Sequence, residues 1–179
     1  IIEFKPDQIS KISSAFNFQA QTNGRGMMYF PNNWGIFYTN GQSLGKFGKS
    51  LSLAAYYDVN HDLLYSGCLR HIEVYDSNHR LVDEIDENDG LDFNGYISSF
   101  GSDCQGHIWF GGHTGLCRYN PENKTMKNFN RSNKNLPSDG VLCIFTDRSG
   151  KTWFGGTEGL LWYEQNTETI QKLNLEKIS

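Results

Sequence analysis

The stretch Asp103-Cys-Gln-Gly-His-Ile-Trp-Phe-Gly-Gly-His-Thr-Gly-Leu-Cys-Arg-Tyr119 returns without a gap as Asp147-Arg-Ser-Gly-Lys-Thr-Trp-Phe-Gly-Gly-Thr-Glu-Gly-Leu-Leu-Trp-Tyr163. From 103 to 147 the offset is 44 residues, and nine of the 17 positions are identical: the Asp, the turn Gly, Trp-Phe-Gly-Gly, Gly-Leu and the closing Tyr. Agreement of that density marks an internal repeat. Weaker copies lie upstream. Gly26-Met-Met-Tyr-Phe-Pro-Asn-Asn-Trp-Gly35 keeps the nine-residue step between glycines found at Gly106 and Gly115. Asp58-Val-Asn-His-Asp-Leu-Leu-Tyr-Ser-Gly67, leading into Glu73-Val-Tyr-Asp76, is a copy with one residue added. A period of about 40–45 residues belongs to propellers and other repeat arrays, whose units cannot bury their faces alone.

Each unit reads as four short antiparallel strands. In the last, Val141–Thr146 is an apolar inner strand, Asp147-Arg-Ser-Gly150 a tight turn, and Lys151–Gly155, Gly159–Tyr163 and Thr169–Leu173 the remaining strands. An Asp bonds back to turn backbone, and a Gly three residues later accepts positive φ. The Gly-Gly after Trp-Phe allows close backbone approach or a bulge. Trp109 and Trp153 are expected to pack between adjacent sheets. No segment holds a helical apolar stripe for three turns, so the fold class is all-β. Ile1–Phe4 resembles the outer strand of a unit, which places 1–10 in a preceding blade and full blades at 11–50, 51–90, 91–133 and 134–179. A closed four-bladed ring has no place for that surplus strand. The expectation is therefore an arc of about four blades from a larger propeller, leaving faces with residues such as Trp153 and Tyr163 to be covered by missing blades or a second copy of the chain.

Composition agrees. The 179 residues include 12 Phe, 9 Tyr, 4 Trp and 19 Gly, with a net charge of -4. Without a basic surplus, a nucleic-acid partner is not expected. No apolar run approaches the ~18 residues a membrane helix needs, so this segment is not expected to insert in a membrane. The start at Ile1 is read as a mature or excised segment. Cys68, Cys104, Cys117 and Cys143 lack CxxC spacing and read as free core thiols.

The string Leu136-Pro-Ser-Asp-Gly-Val-Leu-Cys-Ile-Phe-Thr-Asp-Arg-Ser-Gly-Lys-Thr-Trp-Phe-Gly-Gly-Thr-Glu-Gly-Leu160 closely resembles the two-component-regulator propeller repeat. The third unit matches nearly as well, and the first two match in spacing and polarity. The resemblance implies blades of a seven-bladed propeller in the periplasmic sensor region of hybrid two-component proteins, many of which respond to polysaccharide. On this reading the segment is non-catalytic, and any kinase activity lies elsewhere in the parent protein.

The turn between second and third strands recurs at one rim of every unit, offering Asn33 and Trp34, Leu69 and Arg70, His113 and Thr114, then Thr157 and Glu158. An aromatic platform flanked by hydrogen-bonding groups suits an oligosaccharide, which makes Trp34, Arg70, His113 and Glu158 the candidate ligand-binding residues. Asp58-Val-Asn-His-Asp62 has the spacing of three EF-hand ligands but Leu63 where the loop needs Gly, so it reads as a hairpin turn. Asp83, Glu84, Asp86, Glu87 and Asp89 read as a solvated linking loop. No HExxH and no Ser/His/Asp order stands out. The reading assigns no catalytic residue, metal or cofactor. Two alternatives remain open: a propeller enzyme of the streptogramin-lyase type, using His113 and Glu158 with a metal, and a protein-interaction or dimerisation scaffold.

Overall fold

In three of the four repeats the first hairpin is closed by a single side chain. Asp103 Oδ1 accepts the backbone N–H groups of Gln105 at 2.9 Å and His107 at 3.0 Å, with Gly106 at φ 85°. Asp147 Oδ1 does the same for Ser149 at 2.8 Å and Lys151 at 3.2 Å. Asn23 Oδ1 serves Arg25 and Met27 in the first repeat. These side chains satisfy turn donors that no neighbouring strand reaches. In the last two repeats the second carboxylate oxygen takes the indole of the repeated Trp. Trp109 Nε1 donates to Asp103 Oδ2 at 3.0 Å, and Trp153 Nε1 to Asp147 Oδ2 at 2.7 Å. The repeated Asp and Trp, six residues apart, are therefore one bonded device.

A computed structural model of the chain describes residues 20–130, 136, 140–157 and 159–174. They form four four-stranded antiparallel sheets, each in sequential strand order. The first holds β1 (Gln21–Thr22), β2 (Met28–Asn32), β3 (Gly35–Thr39) and β4 (Leu44–Phe47). The second holds β5 (Ala54–Asp58), β6 (Leu63–Gly67), β7 (Ile72–Tyr75) and β8 (Leu81–Ile85). The third holds β9 (Ile97–Ser102), β10 (Ile108–Gly112), β11 (Gly115–Asn120) and β12 (Thr125–Phe129). The fourth holds β13 (Val141–Thr146), β14 (Thr152–Gly156), β15 (Gly159–Glu164) and β16 (Thr169–Lys172). Among the described residues the sole helical element is a single 3-10 turn, Glu87–Asp89. The surplus strand expected at 1–10 lies outside the described residues, as does the start of the first blade.

The chain divides into two compact units, with the boundary between Asp89 and Gly90. In the first, Tyr29 and Ile36 pack with Ala55, Tyr57, Leu64 and Tyr75 of the second sheet, and Tyr29 stacks on Tyr57 with centroids 5.6 Å apart. In the second, Trp109, Leu116 and Phe129 meet Phe154, Leu161, Tyr163 and Ile170. Burying such aromatic rings is the main stabilising term in both units. The sheets of the second unit approach through glycine. A Cβ at Gly111 would stand 2.8 Å from Val141 Cβ, and one at Gly101 2.6 Å from Ile144 Cγ2. The Gly-Gly pair also carries a bulge, with the register shifting between Gly111 and Gly112.

Several expectations need correction. Trp109 is buried between sheets with 0% exposure, but Trp153 is only half-buried. Side chains alternate across a strand, and Ile144 packs towards the third sheet, so the row Phe145–Trp153–Trp162 points the other way. No described sheet covers it. Tyr163, expected on an uncovered face, is buried against Trp109 with centroids 4.9 Å apart. All four cysteines are free, but only Cys68 and Cys117 are core residues. Cys104 is exposed in the turn after Asp103, and Cys143 is exposed beside the bulge of β13. Of the acidic stretch, Asp83 and Glu84 belong to strand β8, while Glu87 and Asp89 lie in the 3-10 turn.

Candidate functional site

The rim turns stand where strand alternation and turn chemistry place them. Trp34 follows buried Asn32, whose Oδ1 accepts the Trp34 backbone N–H at 2.7 Å, and the residue is 61% exposed. Arg70 occupies the left-handed region at φ 65° and reaches the exposed Glu87 at 3.7 Å. Within the first unit both turns lie at the same end. The successive N–H groups of Ser52 and Leu53 donate to Asn32 O and Gly67 O, the last residues of β2 and β6. In the second unit Gly140 is the corresponding link. Its carbonyl accepts the Thr157 N–H at 3.4 Å, and a Cβ on it would lie 3.9 Å from His113 Nδ1. His113 is exposed at this end. Glu158 lies outside the described residues, so the structure does not place it beside His113. The first unit thus brings Trp34 and Arg70 to one end of its own sheets, and the second unit carries His113 at an end of its own.

A second polar feature lies at the opposite end of the second unit, where the Asp-anchored hairpins turn. A cleft of about 250 Å³ opens there, lined among others by Asp103, Gln105, Ser149, Lys151, Tyr163 and Asn166. Its wall is organised by Arg118, which donates to Asp103 Oδ2 at 3.1 Å and to the Tyr163 hydroxyl at 3.3 Å. The guanidinium also lies 5.1 Å from the Tyr163 ring centroid, a cation–π distance. Burial pushes the Asp103 carboxyl up, but hydrogen bonds from the Trp109 indole and the His107 backbone and side chain together hold it below the usual range. Hydroxyl, amide, ammonium and aromatic groups line one concave surface, which suits a small polyhydroxylated ligand. Sequence reasoning missed this cleft because Asp103 and its neighbours read as turn chemistry. The signal was Gln105 and Arg118, which no hairpin requires.

The calcium-like spacing is a turn. Asp58 Oδ1 accepts the Asn60 N–H at 2.9 Å, its Oδ2 lies 2.6 Å from His61 Nδ1, and Asp62 takes the Tyr57 hydroxyl and Arg25. Among the described residues, Cys68, His71 and Glu73 form a group able to reach a single metal ion.

No family model matches the chain, and no curated protein matches it. Solved structures do. A protein described as the extracellular domain of the one-component system BT4673 from B. thetaiotaomicron is 18% identical over 89% of this chain, with a TM-score of 0.75. The extracellular domain described for the hybrid two-component system BT3049 of the same organism is 16% identical over 100% of this chain, also at 0.75. The WD40 domain of Neurospora crassa Pan2 is 12% identical over 94% of this chain and covers 51% of its own length, at 0.66. The chain spans only 22% and 25% of the two bacterial domains. These likenesses show the fold: the four sheets are consecutive β-propeller blades. Among the described residues no helix is long and apolar enough to cross a membrane.

Proposed function

We propose that the chain is a non-catalytic part of an extracytoplasmic, periplasmic sensor propeller whose parent protein signals across a membrane in response to an oligosaccharide. The observation that carries the reading is the bonded Asp–turn–Trp device on blades whose fold matches, over 89% and 100% of this chain, extracellular domains described as parts of a one-component and a hybrid two-component system. Trp34 supports the ligand class. A tryptophan 61% exposed at a turn gives the packing of its own unit little, but offers an apolar platform to a sugar ring. Its neighbours at that end, Asn33 and Arg70, supply hydrogen-bonding groups. The partners proposed for this segment are the remaining blades of the parent or a second copy of the chain.

Isothermal titration of the chain with a panel of plant and host oligosaccharides tests the proposal. At least one class should bind, and Trp34→Ala should weaken that binding about tenfold or more, the scale on which losing a stacked aromatic contact is felt. Binding of every sugar unchanged in Trp34→Ala would remove the rim from the reading. No binding to any oligosaccharide by the intact parent ectodomain would remove the ligand class.

A further inference from the structure

The turn from β6 to β7 is built from Cys68, Leu69, Arg70 and His71. It is closed by the Cys68 N–H donating to the His71 carbonyl at 3.0 Å, with Arg70 at φ 65°. Cys68 and His71 therefore stand opposite each other, one pair beyond Gly67 and Ile72 in the register. The pair Ser66–Glu73 lies two steps back along the same strands. Side chains two steps apart share a sheet face, so thiol, imidazole and carboxylate project together. Their ligating atoms all lie within 4.8 Å of one another, and His71 Nε2 is 3.9 Å from Glu73 Oε1.

The supports of a metal site are also in place. His71 Nδ1 lies 2.9 Å from the Leu69 carbonyl, which can only accept, so Nδ1 carries a proton and Nε2, which faces Glu73, is the nitrogen left to ligate an ion. Fixing a ligating imidazole through its other nitrogen is the usual outer arrangement of a zinc site. The Glu73 carboxylate is held in turn: the Ser50 hydroxyl donates to Oε1 and the Tyr75 hydroxyl to Oε2, both at 2.5 Å. Each oxygen keeps a further lone pair for an ion. Cys68 and Glu73 are buried while His71 is partly open, which leaves a path from solvent. A thiolate and a carboxylate balance a divalent cation, and a sulfur–nitrogen–oxygen set selects zinc-like ions over calcium or magnesium.

We propose that the β6–β7 turn binds one zinc-class divalent ion through Cys68 Sγ, His71 Nε2 and a Glu73 oxygen, with water in the fourth position. Binding forms the sulfur–metal bond as the thiol proton leaves to solvent, so the step consumes no oxidant or reductant. The ion ties the turn, through Glu73 and its Ser50 partner, to the segment joining the first two sheets.

The test titrates the full chain, freed of metal by chelator dialysis, with Co²⁺, a spectroscopic stand-in for Zn²⁺. The expected result is one ion per chain, with a thiolate-to-cobalt charge-transfer band that Zn²⁺ abolishes. Cys68→Ser should remove that band, and His71→Gln should weaken binding by about tenfold or more. Cys143→Ser, which removes an exposed thiol elsewhere, should change nothing. Should Cys68→Ser fail to fold, His71→Gln, on the open side of the turn, decides. The proposal is overturned if no charge-transfer band forms, if the band survives in folded Cys68→Ser, or if His71→Gln binds Co²⁺ as tightly as the unmodified chain.

Discussion

Asp147 shows how much one side chain can organise. Its carboxyl is held down to about 2, first by the Ser149 hydroxyl, then by the Trp153 indole and the Lys151 and Ser149 backbone. An unfolded Asp titrates near ~3.9, so the folded pKa is the lower of the two. The stabilisation is then complete above about pH 4 and lost as pH falls towards about 2. Asp147→Ala should be less stable than the unmodified chain at pH 7, with the difference closing between about pH 4 and pH 2 in urea titrations. A gap that stays constant with pH would mean that the bonded carboxylate is not its source. The two repeated tryptophans should separate as well. Trp109→Ala removes a fully buried ring and is expected to cost about 3–5 kcal/mol, while half-buried Trp153→Ala should cost markedly less. Equal losses in denaturant unfolding would contradict the burial difference. That difference was not legible in the repeat, because identical residues in identical turns differ only in whether a neighbouring sheet lies over them.

Among the elements, β10 is the most constrained. A Cβ on Gly112 would stand 2.1 Å from the Tyr96 carbonyl and 3.1 Å from the Phe93 ring. Gly112→Ala must therefore move backbone and should destabilise by about 1–3 kcal/mol, the range for overpacking. Gly155, the counterpart of Gly111 on β14, meets only the Cys143 sulfur, the end of an exposed side chain rather than backbone. Gly155→Ala should cost under about 1 kcal/mol, and a reversed order in unfolding midpoints would undo this account of the Gly-Gly pair. The strands themselves were readable, with the four of the last repeat agreeing to within a residue or two at their ends, because turn Asp and Gly punctuate them. Trp34 was readable too, as an aromatic at a turn position with no strand partner. Cys68, His71 and Glu73 were not. Their spacing fits no linear metal pattern, and they converge only once the turn is closed and the pleat fixes which side chains share a face.

The fourth sheet carries a row of exposed and half-buried apolar side chains on one face. Phe145 is 64% exposed and Leu160 40%, and they flank Trp153 and Trp162, over which Lys151 Nζ lies at 4.7 and 4.3 Å. Exposed apolar groups of this extent mark contact surfaces. Light scattering across micromolar concentrations should therefore give a mass above the 20.4 kDa of one chain, and Phe145→Asp should bring it back towards that value. A monomer at every concentration would remove this face from the partner proposal. The order of the strands has a further consequence. Among the described residues every ladder bond joins strands adjacent in sequence, so inserting or deleting one whole 44-residue repeat breaks none of these pairings. A single in-frame duplication in the gene can therefore lengthen the array by a blade while every hairpin stays intact. Selection then acts mainly on the seams, where residues such as Gly101 and Gly111 decide which copies fit side by side.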